Sequence, residues 1–434
     1  MELGKDPTKM KYKHNTFAAL KIPAYRIYFG ALLMQMAAMN MQMVARSWFM
    51  YELTESAVML GAVGLCSALP MLTISLFGGV LADRIRKRGI LIAGQLTSAL
   101  VALGVAVSIT MGTISWIHLF IAAFLQGLVM ALMMPARQAI IYELVGANTL
   151  MNAIALNAAA MNFIRLTAPA IAGFLIALWN IEGVYYIMAL FYLIGFVFAI
   201  RLPQTGKAQL KKIGTMLELK EGLRYIRHNS NILAILFLTL MATILSMPYL
   251  FLLPIFAKDV FSVDISLFGK LTSLPLIGSL FLALAESSTR QGLLLSISAI
   301  GALVGSLTVA SMGNRMRGLI FLLSLLLAAI SLICFTATSS YLLALITFVP
   351  LGLGQAGRMA LSNTLLESNT DDSHRGRVMS VYMMNWGLTM VGVFFISMLA
   401  DTIGAQLAVG GAAGLLAIIV LYYLFFSRQI RHLD

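Results

Sequence analysis

Long runs of apolar residues, separated by short polar segments, fill most of the chain. The runs are continuous and lack the every-second-residue alternation of a half-buried strand. Each can cross a hydrocarbon core of about 30 Å as a helix, which takes about 20 residues. Helices are favoured because in lipid only helices and closed barrels satisfy their own backbone hydrogen bonds. We therefore predict an all-α membrane protein with twelve transmembrane helices. Their predicted bounds are Ile27–Tyr51, Ala57–Ala82, Ile90–Thr110, Trp116–Ile141, Ala153–Leu178, Val184–Ile200, Ile232–Phe256, Leu293–Met312, Leu319–Phe335, Tyr341–Leu366, Val378–Ala400 and Leu407–Phe426.

One further apolar run, Leu267–Ala285, complicates this count, although Lys270 and Pro275 interrupt it. If it crossed the membrane, every later loop that carries arginine would change sides. We therefore predict an extra segment near residues 262–290 that lies on the outer face or re-enters the membrane against protein.

Positive charge is distributed unevenly between the polar segments. Lys and Arg concentrate before the first span, at residues 84–88, in the central linker, and at the ends of every second later span. The opposite loops hold Lys258, Lys270 and Arg290. Because cytoplasmic loops carry the excess of basic residues, we predict a prokaryotic cell (inner) membrane protein with both termini in the cytoplasm. The net charge of +13 is then an orientation signal, and we expect no nucleic-acid partner.

Composition narrows the function classes. Of the 434 residues 60% are hydrophobic and 11% are charged, whereas soluble proteins carry about 25% charged residues. The first 20 residues are basic and polar, so no cleavable signal peptide is predicted. Five scattered histidines, two cysteines within apolar runs and the lack of a GxxxxGK[ST] loop give no metal or nucleotide site. We expect no cofactor and no enzyme activity.

The chain divides at a polar, basic linker. We predict an N-terminal six-helix bundle over 1–202, a cytoplasmic linker over 203–229 and a C-terminal six-helix bundle over 230–434. Apolar and basic residues recur in the linker at helical spacing, which predicts an amphipathic helix on the inner leaflet or, alternatively, a solvated helix. The apolar residues are Met216, Leu219, Leu223 and Ile226, and the basic ones are Lys220, Arg224 and Arg227.

The two halves resemble weak internal repeats. Arg88-Gly89 matches Arg317-Gly318, Arg137 matches Arg358, and Asn162 matches Asn385 at similar offsets. Two pseudo-symmetric bundles with a site at the membrane midplane between them form an alternating-access arrangement.

The segment Gly79-Val80-Leu81-Ala82-Asp83-Arg84, followed by Arg86-Lys87-Arg88, resembles the signature loop between helices two and three of the major facilitator superfamily. The usual pattern has a second glycine where Arg86 stands. Further segments are similar to its enterobactin-exporter-like branch, the transmembrane secretion effectors. These are residues 51–54, 135–139, 152–157, 360–365 and 375–380. The resemblance implies the major facilitator fold and transport of a small molecule.

Two other motifs bear on direction and coupling. Ala168–Gly173, with Pro169 and Gly173, is similar to the antiporter Gly-Pro motif, and this resemblance implies export. Gln126-Gly127 matches part of a motif whose arginine would fall at Ala123, so the proton role implied by that motif lacks its residue.

The signature loop is the predicted gate. A carboxylate such as Asp83, where a helix meets the surface, can bind a cation or a helix N-terminus in one conformer and release it in the other. Arg137 lies within reach of Glu143 and of Asp83 in the predicted topology. The alternative is that the basic cluster only anchors the topology. The predicted gating residues are Gly79, Asp83, Arg84, Arg86, Lys87, Arg88, Arg137 and Glu143.

Arginines within the predicted spans should face protein or water, because facing lipid would cost each about 2.5–3.5 kcal/mol on insertion scales. We predict that Arg165, one turn from Asn162, lines a central cavity and attracts a negatively charged substrate group. The alternative for it is a clamp between helices, and for the other polar residues interhelical hydrogen bonding. The predicted cavity residues are Gln35, Gln42, Arg46, Asn157, Asn162, Arg165, Gln355, Arg358, Asn385 and Trp386.

The leading hypothesis is a monomeric exporter of small amphipathic or anionic molecules, siderophore- or drug-like, embedded in the lipid bilayer. A lipid or lysolipid translocator and a non-transporting receptor on the same fold are the alternatives. No Asp or Glu lies deep in any predicted span. Protons are one candidate coupling ion, acting through Glu143 or Glu367, and exchange of solutes without protons is the other possibility.

Overall fold

The computed structural model describes residues 17–82, 87–204, 216–261, 286–312 and 316–433, and these residues are helical with short connections. The helices are α1 (Pro23–Thr54), α2 (Ala57–Ala82), α3 (Lys87–Thr110), α4 (Trp116–Ile200), α5 (Met216–His228), α6 (Ser230–Ser246), α7 (Tyr249–Ile255), α8 (Ser287–Ser311), α9 (Arg317–Ala337), α10 (Tyr341–Ser368), α11 (Asp372–Ile403), α12 (Ala405–Phe426) and α13 (Arg428–Arg431). The predicted all-helical fold is confirmed. The apolar run Leu267–Ala285 and the loop residues Asp83, Arg84 and Arg86 lie outside the described residues.

Nine of the described helical stretches are long and apolar enough to cross a membrane. One of them, α4, has 85 residues, and at 1.5 Å per residue it is several times longer than a membrane is thick. Two residues within it leave the helical conformation: Gly146 with φ 67° and Asn180 with φ 62°. Glycine and asparagine adopt positive φ more readily than other residues. These breaks divide α4 into α4a (116–145), α4b (147–179) and α4c (181–200). The total of twelve crossings stays a prediction.

The predicted span Ile232–Phe256 contains a second kind of break. Helix α6 ends at Ser246, and α7 begins at Tyr249 directly after Pro248. Proline lacks the N–H that would continue the hydrogen-bond ladder, so the chain starts a new helix there. A π-helical turn, Phe256–Val260, follows α7.

Helices α1, α2 and α3 pack against α4, while α10 packs against both α8 and α9, and α12 packs against α9. We call α1–α4 the N-terminal helices and α6–α12 the C-terminal helices. Large apolar side chains such as Phe426 (76% exposed), Leu407 (68%) and Phe163 (66%) project from the outside of the molecule, as expected for a surface that contacts lipid.

The molecule has two ends that differ in their contacts. The latch end contains residues 51–57, 256–261, 286–291 and 401–404. The linker end contains Lys87, Gly146, helix α5 and the start of α11 at Asp372. The N-terminal and C-terminal helices meet along α4b with α8 and along α2 with α11.

Candidate functional site

Charged side chains join the two sets of helices at the latch end. Lys258 Nζ lies 3.2 Å from Glu52 Oε2 and 3.3 Å from Glu55 Oε1, at the end of α1. The Tyr51 hydroxyl donates a hydrogen bond to the Asp259 carboxylate. Because Lys258 and Asp259 lie in the π-helical turn after α7, these contacts connect α1 directly to the C-terminal helices.

Asp401, near the end of α11, caps the N-terminus of α2. Its Oδ1 accepts a hydrogen bond from the Ala57 N–H at 2.6 Å, and its Oδ2 accepts bonds from Ser56 Oγ at 2.9 Å and the Val58 N–H at 3.3 Å. The first N–H groups of a helix have no partner within the helix and attract negative charge. The capping residue here comes from the other set of helices, so separating the two sets removes the cap.

The closest approach between the two sets lies where α4b meets α8. The Gly173 carbonyl accepts hydrogen bonds from Ser288 Oγ at 3.0 Å and Thr289 Oγ1 at 3.2 Å. A Cβ atom at Gly173 would overlap the Ser288 carbonyl, and one at Gly292 would overlap the Pro169 carbonyl. The structure therefore places Pro169 and Gly173, the antiporter-like residues, in a contact that only glycine permits.

Helix α1 also binds α8. Trp48 Nε1 donates to Ser287 Oγ at 3.0 Å, and Gln291 Nε2 donates to Ser47 Oγ at 2.7 Å. Gln291 is fully buried. These neutral bonds and the glycine contact together make the latch end a closed, partly dry interface.

The same interfaces separate toward the linker end. On the face of α4b that carries Gly173 and Pro169, the next residues, one and two turns on, are Arg165 and Asn162, and both are exposed. On α11, Gly387 lies against Leu72 of α2, whereas Met383, one turn nearer the linker end, is 54% exposed. Faces that are buried at one end and exposed at the other show that the two sets of helices diverge.

Arg165 and Arg358 approach one site from opposite sets of helices. Both guanidinium groups act electrostatically on the hydroxyl of the buried Tyr249, at the start of α7. Arg165 is exposed where the helices diverge, whereas Arg358 is only 6% exposed. The two arginines therefore differ in access to an incoming ligand although they share an electrostatic neighbour.

Neutral groups hold Arg358. Its Nη1 donates to Thr243 Oγ1 at 3.2 Å, and its Nε donates to Gln355 Oε1 at 3.0 Å. Gln355 in turn donates to Ser246 Oγ at 2.9 Å. These bonds tie α10 to α6 and leave the positive charge of Arg358 without a carboxylate partner among the described residues.

Arg137, its counterpart in the repeat, has different surroundings. It lines a cavity of about 10 Å³, room for about one water molecule, together with Tyr28, Gln35 and Gln95. Its Nη1 lies 3.8 Å from the sulfur of Met36. Gln35 itself donates to the sulfur of Met133 at 3.3 Å.

Two of the predicted gating residues pair with each other, since Lys87 Nζ binds Glu143. Arg88 donates to the Ile200 carbonyl at the end of α4c. The surroundings of Gly79 in α2 are not described, and Asp83, Arg84 and Arg86 lie outside the described residues. The structure thus describes the α3–α4a part of the predicted gate.

The other predicted cavity residues fall into two groups. Asn157 accepts a hydrogen bond from the Tyr25 hydroxyl at 2.9 Å, and Gln42 is buried, so both lie within the packed N-terminal helices. Asn385 is buried near the diverging end, and its Nδ2 has no hydrogen-bond partner among the described residues. Arg46 is half-buried, with Tyr185, Tyr192 and Cys66 as electrostatic neighbours. The side chain of Trp386 is not described.

Across the described residues, none of Arg46, Arg137, Arg165 and Arg358 forms an ion pair. The interior of the helix assembly is therefore electropositive, and its most exposed positive group, Arg165, lies where the two sets of helices part. This arrangement can attract and orient an anion that enters from the linker end.

The pairing at the latch end was not predicted from sequence. Glu52, Glu55, Lys258, Asp259 and Asp401 were recognisable only as charges at helix ends. Partners such as Lys258 and Glu52 are separated by 206 residues, and Asp401 and Ala57 by 344. The available signal was the placement of opposite charges at helix ends on one side of the membrane.

A family model for transmembrane secretion effectors matches residues 14–291, and one for the major facilitator superfamily matches residues 265–432. The chain is similar to the staphyloferrin A transporter of Staphylococcus aureus (strain NCTC 8325 / PS 47), with 24% identity covering 89% of this chain and 92% of that protein. Macrolide efflux protein A of Streptococcus pyogenes is 23% identical over 89% of this chain and 91% of the relative. An enterobactin exporter of Escherichia coli O1:K1 / APEC is 22% identical, covering 82% and 80%.

Solved structures share the fold. A peptide transporter of the POT type, in complex with sulfate, superposes with a TM-score of 0.73 at 13% identity and covers 94% of this chain and 95% of its own. The nucleoside transporter NupG gives 0.71 at 12% identity, with coverage of 93% and 100%. At these identities the likeness concerns the fold alone.

Proposed function

We propose that this chain, which belongs to the transmembrane secretion effector family of the major facilitator superfamily, is an exporter. It moves small anionic or amphipathic molecules across the cell membrane by alternating access. The similar siderophore and macrolide transporters support a small organic substrate. The observation that carries the proposal is the electropositive interior, with Arg165 exposed where the two sets of helices diverge.

The direction follows from combining the structure with the charge rule. The linker end carries the basic segments, so it faces the cytoplasm in the predicted orientation. A structure closed at the latch end and divergent at the linker end then accepts substrate from the cytoplasm. Labelling of residues 84–88 from outside the cell would contradict this orientation.

Release on the other side requires the latch end to open and the linker end to close. We infer that Asp83 forms the contact that closes the linker end, next to the Lys87–Glu143 pair that already joins α3 to α4a. Asp83→Asn should then reduce flux while membrane insertion stays normal, and unchanged flux would count against the gate.

The driving ion is part of this proposal. No carboxylate is paired with the four interior arginines in the described residues. A proton could instead exchange at Glu143, which binds Lys87, or at the exposed Glu367. We take the transporter to act as a monomer, and flux with and without a proton gradient tests the coupling.

The main test uses Arg165. Purified protein in liposomes would be assayed for flux of an anionic and a cationic dye of similar size, with staphyloferrin A, enterobactin and a macrolide as further substrates. Arg165→Ala should reduce anion transport about tenfold or more, since one charge-assisted contact is worth about 1.5–3 kcal/mol. Cation transport should change little.

Arg201→Ala is the matched control, because Arg201 is an exposed arginine at the end of α4c. Equal losses for both dyes in Arg165→Ala would contradict the electrostatic role. Ligand binding without any flux in the unmodified protein would indicate a receptor instead of a transporter.

A further inference from the structure

A second pocket lies outside the proposed transport pathway, where the linker helix α5 meets the start of α11. It has a volume of about 390 Å³ and is lined by Glu221, Arg224, Tyr225, His228 and His374. It is at the linker end, so the predicted orientation places it at the cytoplasmic membrane surface.

The pocket is held together by contacts between α5 and α11. The rings of Tyr225 and His374 stack with their centroids 4.1 Å apart and an interplanar angle of 5°. The Tyr225 hydroxyl donates to Asp371 Oδ2 at 3.1 Å and accepts from the Asp371 N–H at 3.3 Å. Ile226 is 4% exposed and anchors the other face of α5. These contacts hold α5 against the start of α11.

Most acidic groups around the pocket are already engaged. Glu221 forms an ion pair with Arg377 at 3.0 Å, and Asp372 forms one with Arg375 at 2.7 Å. Among the described residues Arg224 forms no ion pair. The pocket therefore retains an arginine whose positive charge is not neutralised.

Histidine adds donors to this charge. The Nδ1 atom of His228 lies 2.8 Å from the Arg224 carbonyl and therefore carries a hydrogen, so Nε2 can donate to a ligand when the ring is an imidazolium. A planar guanidinium together with an imidazolium N–H suits the oxygens of a phosphate ester.

The position of α5 indicates the source of the phosphate. Leu223, directly before Arg224, is an apolar residue that is 50% exposed. Apolar and basic residues side by side on a short helix are typical of helices that lie in the membrane interface. Basic residues there attract the anionic lipids of the cytoplasmic leaflet.

We propose that the pocket between α5 and α11 binds the phosphate of an anionic phospholipid headgroup. Arg224 and His228 bind the phosphate oxygens, and Leu223 contacts the acyl chains. A lipid bound there contacts α11, the helix that packs against α2 of the N-terminal helices further along its length.

Native mass spectrometry of the full-length protein from lipid nanodiscs tests the proposal. The nanodiscs contain phosphatidylcholine with increasing amounts of phosphatidylglycerol. The unmodified protein should retain phosphatidylglycerol, and the variant Arg224→Gln with His228→Gln should lose about fivefold or more of that affinity. His374→Phe should keep the ring stacking and reduce retention less.

Arg227→Gln is the matched control, because Arg227 is an exposed arginine on the same helix that does not line the pocket. A loss in this control as large as in the double variant would overturn the proposal, since the lipid would then respond only to the net charge of α5. Equal retention by the double variant would also overturn it.

A separate arm distinguishes the lipid from soluble phosphate. Inorganic phosphate at millimolar concentration is added to detergent-purified protein, and the melting temperature is measured with and without short-chain phosphatidylglycerol. Stabilisation by the lipid, lost in the double variant, supports the proposal. Stabilisation by phosphate alone would replace the lipid by a soluble ligand and contradict it.

Discussion

The two ends of the interface between the N-terminal and C-terminal helices differ in kind. At the latch end, backbones touch at Gly173 and Gly292, and charged groups connect helices across the interface. At the linker end, the same helix faces continue as the exposed residues Arg165 and Met383. Under the proposed alternating-access mechanism, this structure is one of two states, and substrate transfer requires the ends to exchange these roles.

The contacts at the latch end are unequal in strength. Lys258 is 31% exposed, and its partners Glu52 and Glu55 are 45% and 75% exposed, so these ion pairs are worth about 0–1 kcal/mol. The Asp401 cap is worth about 1 kcal/mol. The glycine contact is steric and admits no larger residue without movement of the backbone. Packing at Gly173, more than the ion pairs, determines whether this end can close.

The largest effect is therefore expected from Gly173→Val. Its Cβ atom would overlap the Ser288 carbonyl and prevent closure at the latch end, so flux should fall by about tenfold or more. Cysteine labelling at a buried latch-end position such as Ala57, which is 2% exposed, should increase. Gly411→Val in α12 is the control, because a Cβ there would meet nothing within 4 Å. Normal flux in Gly173→Val would show that the contact is not needed for closure.

The sequence predicted much of this end only indirectly. Apolar runs predict helices because in lipid the backbone must form its own hydrogen bonds. The resemblance of Ala168–Gly173 to an antiporter motif made Pro169 and Gly173 predicted site residues. Neither tells which helix they contact. The partner in α8 follows from the three-dimensional packing of helices whose residues are more than 100 positions apart, such as Gly173 and Ser288.

Charged partners were still harder to predict. The repeat equates Arg137 with Arg358, yet Arg358 is held by Gln355 and Thr243, whereas Arg137 lies beside a methionine sulfur. The match between the halves predicts where each arginine lies along its helix. It does not predict the side chains around that arginine, because those belong to other helices whose sequences differ between the two halves. The bounds of some helices also differed from the prediction. Helix α4a continues to residue 145, beyond the predicted Ile141, because a helix can extend past the apolar run that crosses the lipid.

Asp401→Asn should have the next largest effect. The amide keeps an oxygen that can accept a bond from the Ala57 N–H but loses the charge at the N-terminus of α2, so the closed latch end should be disfavoured by about 0.3–1 kcal/mol, or roughly two- to fivefold. Double electron–electron resonance between spin labels at the exposed residues Leu53 and Thr402 would report the larger fraction of open molecules. Asp372→Asn, at the start of α11, changes the same helix at the linker end and should leave that fraction unchanged. A shift of equal size in this control would mean that the cap is not the cause.

The smallest effect is expected from Lys258→Gln. The variant loses both ion pairs to α1, but their solvent exposure limits the change to about twofold in the open fraction. Because about 1 M salt shortens the Debye length to about 3 Å, the difference between the variant and the unmodified protein should vanish there, whereas the effect of Gly173→Val should persist. The same spin-label pair measures both. A salt-independent effect of Lys258→Gln would mean that the methylene chain of Lys258 packs at the latch end and that its charge contributes little.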